Sequence, residues 1–163
     1  MPSNDVTNFL WSLAAAIAAA TGLTLDPPVN GKRSMWVRQA VEAASTDVYS
    51  VLRDYDYPED GFNLVPAVSV QIDTRGKLQQ AAAEQAMAIH QSLQVNGHPR
   101  HGWTIAGQRF NETTQAMVVD AGVSWCVKSI RRVSGPAVVG RDDANRYTAV
   151  SSYDFQFVRL VAA

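Results

Sequence analysis

The sequence predicts a single α+β domain in which a mainly antiparallel sheet carries two principal helices packed on one face. Three observations predict this fold. Two stretches repeat apolar residues at helical spacing, several others alternate apolar and polar residues as strands do, and the order is helix, strand, strand, helix and then strands. A chain of 163 residues is long enough to bury one core, so we treat residues 1–163 as one domain.

The first helix is predicted over Asp5–Ala20. Asn4 or Asp5 can accept hydrogen bonds from the free backbone N–H groups at its start, and Gly22 tolerates the positive φ that often follows a helix end. The run FLWSLAAAIAAA at residues 9–20 also resembles the apolar part of a signal peptide, but no Lys or Arg precedes it. With 12 residues the run is too short to cross a bilayer. We therefore expect an amphipathic helix and no membrane partner.

A β-hairpin is predicted next. Asp47–Asp54 and Leu64–Asp73 both alternate apolar and polar side chains, which is typical of half-buried strands. The connection between them, Asp54–Asn63, contains four acids, two tyrosines and a Pro–Gly frame, and it predicts an exposed acidic loop. Pro66 cannot donate to a strand ladder, so we expect the second strand to begin near it or to lie at an edge there.

A second helix is predicted over Lys77–Val95, where an apolar stripe is flanked by glutamines and the Asn-Gly pair at 96–97 follows. Two segments are expected to be connectors or inserts, Leu23–Ser45 and His98–Met117. In the first, Ser34–Ser45 has the spacing of a short helix, although an extended path also fits. In the second, Trp103–Ala106 forms a short strand at most.

The last third of the chain predicts two long antiparallel strands, Gly122–Val133 and Arg146–Leu160, with a further short strand at Met117–Asp120. Between the long strands, Ser134–Asn145 contains Gly, Pro and Asp-Asp-Ala-Asn turn chemistry and is expected to be a wide polar loop. The closing strand carries alternating aromatic residues that we assign to the core: Tyr153, Phe155 and Phe157.

Composition argues against several classes of function. The net charge of −1 gives no overall attraction to nucleic acid or to an anionic membrane. Cys126 is the single cysteine, so an internal disulfide is impossible. Its position in the middle of a predicted strand indicates a packing residue rather than a reactive thiol.

No stretch carries a motif for catalysis or for nucleotide binding, since G-x-S-x-G, G-x-G-x-x-G and the P-loop pattern are all absent from the sequence. His98 and His101 lie three apart in a predicted loop, but zinc needs three or four ligands and the sequence supplies no further ones nearby. Asp142, Asp143 and Asn145 lack the spacing of a calcium loop. We therefore expect no enzymatic activity, no cofactor and no metal.

The two charged connections are the candidate sites for contact with other proteins. The acidic one and the later, more basic one are both presented by hairpins. Copies of the chain that meet head to tail can use opposite charges to select their register. In the later connection, the adjacent acids between two arginines also suggest a turn with local ion pairs. The candidate interface residues are Asp54, Tyr55, Asp56, Tyr57, Glu59, Asp60, Arg141, Asp142, Asp143 and Arg146.

Three parts of the chain together resemble a known family. One is the strand-to-helix passage VSVQIDTRGKLQQAAAEQAMAIHQSL at residues 68–93, and another is GPAVVGRDDANRYTAVSSYDFQF at residues 135–157. The third is the alanine-rich opening helix. In this order they resemble the tail terminator proteins of long-tailed bacteriophages, the lambda-like minor tail proteins. The resemblance covers roughly the whole chain in layout, and residue types carry it rather than an invariant motif.

The resemblance implies a structural virion protein that assembles in the host cytoplasm and whose copies form a homo-oligomeric ring of six. Such a ring caps the head-proximal end of the tail tube, stops tube polymerisation and gives the head connector or stopper protein a docking surface. DNA passes through it without sequence-specific binding. This chain is longer than many such proteins, with extra material at Leu23–Thr46 and Trp103–Met117. Two alternatives stay open: another neck, head-completion or minor tail protein, and a small ligand-binding α+β domain.

Overall fold

A computed structural model of the chain describes residues 4–56 and 66–163. The helices are α1 (Asn4–Thr21) and α2 (Gln79–Ser92). The strands are β1 (Arg33–Val37), β2 (Ser45–Asp56), β3 (Ala67–Gly76), β4 (Gln94–Val95), β5 (His98–Pro99), β6 (Trp103–Asn111), β7 (Ala116–Arg141) and β8 (Tyr147–Val161). The main feature is a six-stranded, mainly antiparallel sheet in the order β1-β2-β3-β8-β7-β6, with β1 parallel to β2. The coarse α+β prediction is confirmed.

Helix α1 supplies much of the apolar core. Phe9, Leu10, Leu13 and Ile17 are fully buried. The ring of Phe9 stacks on that of Phe157 with a centroid distance of 4.1 Å, and it meets the ring of Phe155 edge-on at a centroid distance of 6.0 Å. The same helix contacts both edge strands of the sheet, β1 and β6. At β6, Ser12 Oγ accepts from the backbone N–H of Gln108 and donates to its carbonyl, which caps this strand edge.

Helix α2 is shorter than predicted at both ends. It begins after Leu78, which is extended, and it ends at Ser92. Asn96 and Gly97 both have positive φ, and they form the two-residue turn between β4 and β5. Asn-Gly favours this type of turn, so the pair closes a small hairpin instead of ending the helix. In the described residues, neither helix is long and apolar enough to span a membrane.

The short helix expected at residues 34–45 is wrong, and the alternative of an extended path is correct for its first half. Arg33–Val37 is β1, and a single 3₁₀ turn follows at Glu42–Ala44. Met35 and Val37 join the main core, whereas Trp36 packs with Tyr49 and Val51 in a second cluster. Alternate residues therefore enter different clusters, which is the period of a strand.

The segment His98–Met117 is not mainly connector. Its residues from 103 to 111 form the nine-residue strand β6, longer than the short strand expected at most. The neighbouring β7 is continuous over 26 residues and absorbs the two separate strands that were predicted there. A register shift lies beside Gly107, where an added Cβ would come within 2.6 Å of the Val123 carbonyl oxygen.

The wide loop expected at residues 134–145 is also wrong. Strand β7 continues to Arg141 and stays paired with β8, with Ala137 opposite Val150 and Arg141 opposite Tyr147. The connection to β8 is therefore a tight turn. Gly135 has a φ of 72° and an added Cβ would lie 2.2 Å from the Val150 carbonyl oxygen, so only glycine fits. The Gly and Pro residues that resemble turn chemistry instead lie in irregular, bulged parts of a strand.

Candidate assembly interface

The acidic set begins with a residue that is not exposed. Asp54 lies in β2, and its side chain is only 8% exposed. Its two carboxylate oxygens accept from Nε and Nη2 of Arg38 at 2.8 and 3.0 Å. Such a bidentate pair is geometrically specific and neutralises the charge of Asp54. The prediction of an exposed acidic loop therefore does not hold for Asp54, although Tyr55 and Asp56 are exposed. Tyr57, Glu59 and Asp60 lie outside the described residues.

A second charged pair lies beside the first on β2. Arg53 pairs with the buried Asp73 of β3 at 2.5 Å and donates through Nε to the backbone carbonyl of Arg38. Gln71 donates to the other oxygen of Asp73. The polar atoms at this end of β2 and β3 therefore satisfy one another within the chain. Among the interface residues predicted around this connection and described by the structure, Tyr55 and Asp56 are therefore the ones exposed to a partner.

The turn between β7 and β8 is organised by Asp142. Its Oδ1 accepts from the backbone N–H of Arg146 at 2.9 Å, and its carbonyl accepts from Asn145 N at 2.9 Å. Its charge partner is Arg75 of β3, at 3.7 Å. The neighbouring Asp143 is exposed. The expected ion pairs within the turn are therefore replaced, in the described part of the chain, by a pair that reaches another strand.

Arg146 is buried in the single chain. It is 9% exposed, pairs with Glu42 at 2.6 Å, and donates through Nη1 to the carbonyl of Asp47. Its guanidinium lies 5.4 Å from the ring centre of Tyr49, whose hydroxyl donates to Glu42. The hydrogen bond from Tyr49 and, after it, the charge of Arg146 lower the pKa of Glu42. These contacts tie the turn to β2 and to the 3₁₀ turn.

Arg141, in contrast, is exposed at the end of β7. Its guanidinium lies 4.5 Å from the ring centre of Tyr147, and its Nη2 donates to the Tyr147 hydroxyl. A third contact runs from Nη1 to Asn145. Of the four residues predicted at this turn, Arg141 and Asp143 are the two whose side chains lie open to solvent.

Asp56 and Arg141 lie at opposite ends of the sheet. Asp56 is opposite Ser69, which is opposite Asp154 of β8. Arg141 is opposite Tyr147, at the start of β8. Seven residues of extended strand separate Tyr147 from Asp154, or roughly 23 Å at about 3.3 Å per residue. Within one copy, these two residues therefore do not meet.

The sequence patterns did not predict one exposed feature, an edge of β7. Residues 129–141 of β7 pair with β8 on one side, but the pairing of β6 ends at Val127. We call residues 129–141 the open edge. Its exposed side chains include Val133 at 52% and Val139 at 67%. The valines at 133, 138 and 139 favour a strand. The adjacent Gly and Pro residues favour a turn, and the sequence therefore predicted a loop.

The histidines and the cysteine are not gathered into one site. His90 is buried, with Nδ1 2.8 Å from the Tyr153 hydroxyl and Nε2 near the Gln94 amide. His98 and His101 are exposed, and Cys126 is partly exposed. Within residues 4–56 and 66–163, no three His, Cys, Asp or Glu side chains are arranged to hold a metal ion.

A half-open cleft of about 440 Å³ lies between β1 and the β6–β7 hairpin. Trp11 and Phe110 stack on one wall at 4.5 Å, and Arg33 lies 5.6 Å from the ring centre of Trp36. His90, His98 and Cys126 do not line this cleft. It is an apolar depression without a cluster of titratable groups.

No model of a known protein family matches the chain, and no curated protein matches it in sequence.

Proposed function

We propose that this protein is a phage tail terminator, a structural virion protein and not an enzyme. Copies form a ring, with six subunits as the resemblance implies. The ring caps the head-proximal end of the tail tube and stops its polymerisation. It offers the head connector or stopper protein a surface for joining, and DNA passes through its centre.

The observation that carries the proposal is the position of the two candidate contact sets. Tyr55 and Asp56 lie at one end of the sheet, and Arg141 and Asp143 lie at the other. A ring requires heterologous contacts, in which one patch of a subunit meets a different patch of its neighbour. Two patches of unlike composition, held apart by a sheet, suit such a head-to-tail contact.

We propose that both helices cover one face of the sheet. Tyr153, Phe155 and Phe157 alternate along β8 and so share a face. Phe9 of α1 contacts Phe155 and Phe157, and His90 of α2 contacts Tyr153, which supports this arrangement.

The opposite face of the sheet carries hydrogen-bonded polar side chains. Ser69 donates to Asp154, Arg131 pairs with Asp154, and Ser129 donates to Gln156. With a net charge of −1, the chain as a whole offers little attraction to phosphates. A channel that DNA must traverse needs such tolerance of DNA rather than affinity for it.

Two alternatives differ in what they predict. Another neck, head-completion or minor tail protein shares the self-assembly but binds a different part of the tail. A small ligand-binding domain is favoured by one observation, the aromatic cleft lined by Trp11, Trp36 and Phe110. Clefts of this volume are common binding sites, and convergent polar groups usually fix the ligand in them.

The test is the assembly state of the purified protein, alone and with tail tubes. Light scattering should give the mass of a closed oligomer, and negative-stain images should show rings. Tubes polymerised in its presence should be capped at one end and stop elongating. A monomer that never joins a tube would contradict the proposal, and a ring that binds elsewhere on the tail favours the neck-protein alternative.

A further inference from the structure

We infer that the open edge of β7, residues 129–141, is the surface through which one copy of this chain binds a second copy. The inference rests on the proposed function in one respect, namely that copies assemble. It goes further by assigning the contact to the edge of a named strand, whereas the sequence suggested a loop.

Among residues 4–56 and 66–163, the backbone of the open edge has no strand partner on one side. In that part of the chain β7 has one neighbour besides β8, namely β6, which begins at Trp103 opposite Val127. The two-residue β5 approaches β7 but is hydrogen-bonded to β4. An unpaired strand edge presents a row of N–H and C=O groups that an extended segment of another chain can bind.

The side chains of the open edge favour a protein partner. Val133 and Val139 are more than half exposed on the same strand. Single exposed valines are ordinary on protein surfaces, but two along one unpaired edge add apolar contact to the backbone hydrogen bonds. The segment contains no aromatic ring on which a nucleic-acid base can stack, so a single-stranded nucleic acid is a poorer fit.

Charge points to a second copy of the same chain. Residues 129–141 contain three arginines and no acid, so they contribute +3 to a net charge of −1 and leave −4 on the remainder. Arg131 is already paired with Asp154. In the described part of the chain, Arg132 and Arg141 have no ion pair with a carboxylate. The remainder of a second copy carries the opposite net charge, which these two arginines can meet.

The irregularity of the strand limits how the edge can be used. Register shifts occur on both sides of Ser134 and again before Gly140, and Pro136 has no N–H to donate. Natural proteins use bulges and prolines to prevent indefinite edge-to-edge pairing. The open edge therefore accepts short runs of partner backbone in a fixed register, which suits a closed oligomer better than a fibre.

The experiment compares the wild type with the double variant Val133→Lys/Val139→Lys. Light scattering over a range of concentrations gives the half-association concentration, and amide hydrogen exchange reports on residues 129–141. In the wild type, these amides should gain protection as concentration rises. The variant should raise the half-association concentration about tenfold or more, because it removes the apolar contact of both valines and because lysines on an edge strand oppose strand pairing.

The control is Val29→Lys, which places a lysine at a 59% exposed valine in the Val29–Lys32 bridge, outside residues 129–141. It should associate as the wild type does. If the double variant unfolds, Arg132→Glu/Arg141→Glu replaces it, since both side chains are exposed and the same loss of association is expected.

The outcomes separate this inference from the proposed function. Wild-type association with unprotected edge amides, and with unchanged affinity in the variants, overturns the inference and leaves the ring intact. Association through the edge without capping of tail tubes supports the inference and contradicts the terminator function. A wild type that stays monomeric at every concentration overturns both.

Discussion

Strands β3 and β7 belong to the same sheet but are used in different ways. Strand β3 is paired with β8 over all ten of its residues, and with β2 over most of them. Both of its faces are buried: Val68, Val70 and Ile72 on one side, Ser69 and Asp73 on the other, are at most 4% exposed. Strand β7 has 26 residues, and within the described part of the chain it has partners on both sides around residues 124–127 alone.

The difference separates the strand that stabilises the fold, β3, from the strand that presents surface to partners, β7. Burial of apolar surface is the main favourable term in folding, so the strand with buried residues on both faces defines the centre of the domain. The parts of β7 beyond its doubly paired stretch bury little and leave backbone groups unpaired. Extra strand length of this kind adds little to the core and presents surface to partners.

The largest expected effect breaks the core on β8, the strand between β3 and β7. Phe155 is fully buried and lies opposite Val68 of β3 and Ile130 of β7 through the two ladders of β8. Phe155→Asp should cost several kcal/mol, because it buries an unpaired charge in a domain whose total stability is about 5–15 kcal/mol. Circular dichroism and urea unfolding measure the loss.

The control in β7 is Val139→Asp, at a 67% exposed position of the open edge. Its free energy of unfolding should stay within about 0.5 kcal/mol of the wild type. If Phe155→Asp folds normally, the aromatic face of β8 is not the core and the comparison between β3 and β7 fails.

An intermediate effect distinguishes the two acids of the β7–β8 turn. Asp142 accepts the Arg146 N–H and pairs with Arg75, whereas Asp143 is exposed. Asp142→Lys should lower the free energy of unfolding by about 1 kcal/mol or somewhat more through the lost hydrogen bond. Asp143→Lys should leave folding unchanged but impair assembly. Urea unfolding and tail joining measure the two effects, and normal tail joining by Asp143→Lys would reject this turn as an interface.

The smallest effect concerns His90, which lies on α2 between the aromatic core and β7. Burial and, after it, the charge of Arg132 lower the pKa of His90, and its ring is near Tyr153 and Gln94. In the unfolded chain its pKa is about 6.5. The unfolded state therefore binds more protons just below that pH, so stability is fully present above about 6.5 and falls as the solution becomes more acidic.

Urea midpoints at neutral pH and at lower pH check this sign. The variant His90→Gln should lose the part of the difference that His90 causes, while other groups still contribute. An equal pH dependence in the wild type and in the variant would show that the protonation of His90 is not linked to folding.

Helical periodicity and strand alternation were enough to find α1, α2 and the hairpin of β2 and β3, because these elements each bury one continuous apolar face. They failed where tertiary contacts replace local signals. Trp36 is apolar but faces a different cluster from Met35 and Val37, and Gly135 and Pro136 lie in a strand because that strand is bulged. Local patterns cannot distinguish a bulge from a turn, since both use the same residues.

For the candidate interface, too, local sequence indicated some features and tertiary contacts decided others. From the sequence alone, charged and polar residues at 54–60 and 141–146 indicated two exposed connections. Tertiary structure decided that Asp54 is neutralised by Arg38 and that Arg146 packs on Tyr49 against Glu42. Each partner is distant enough along the chain that no local pattern reveals the pair.

The sequence by itself determined the fold class, the two helices and the apolar alternation of the closing strand, since each depends on the periodicity of a local stretch. Only the tertiary structure decided how far β7 extends, which of its edges stays open and which charges are already paired. Those properties depend on which strands lie beside one another, and strand neighbours are set by the packing of the whole core.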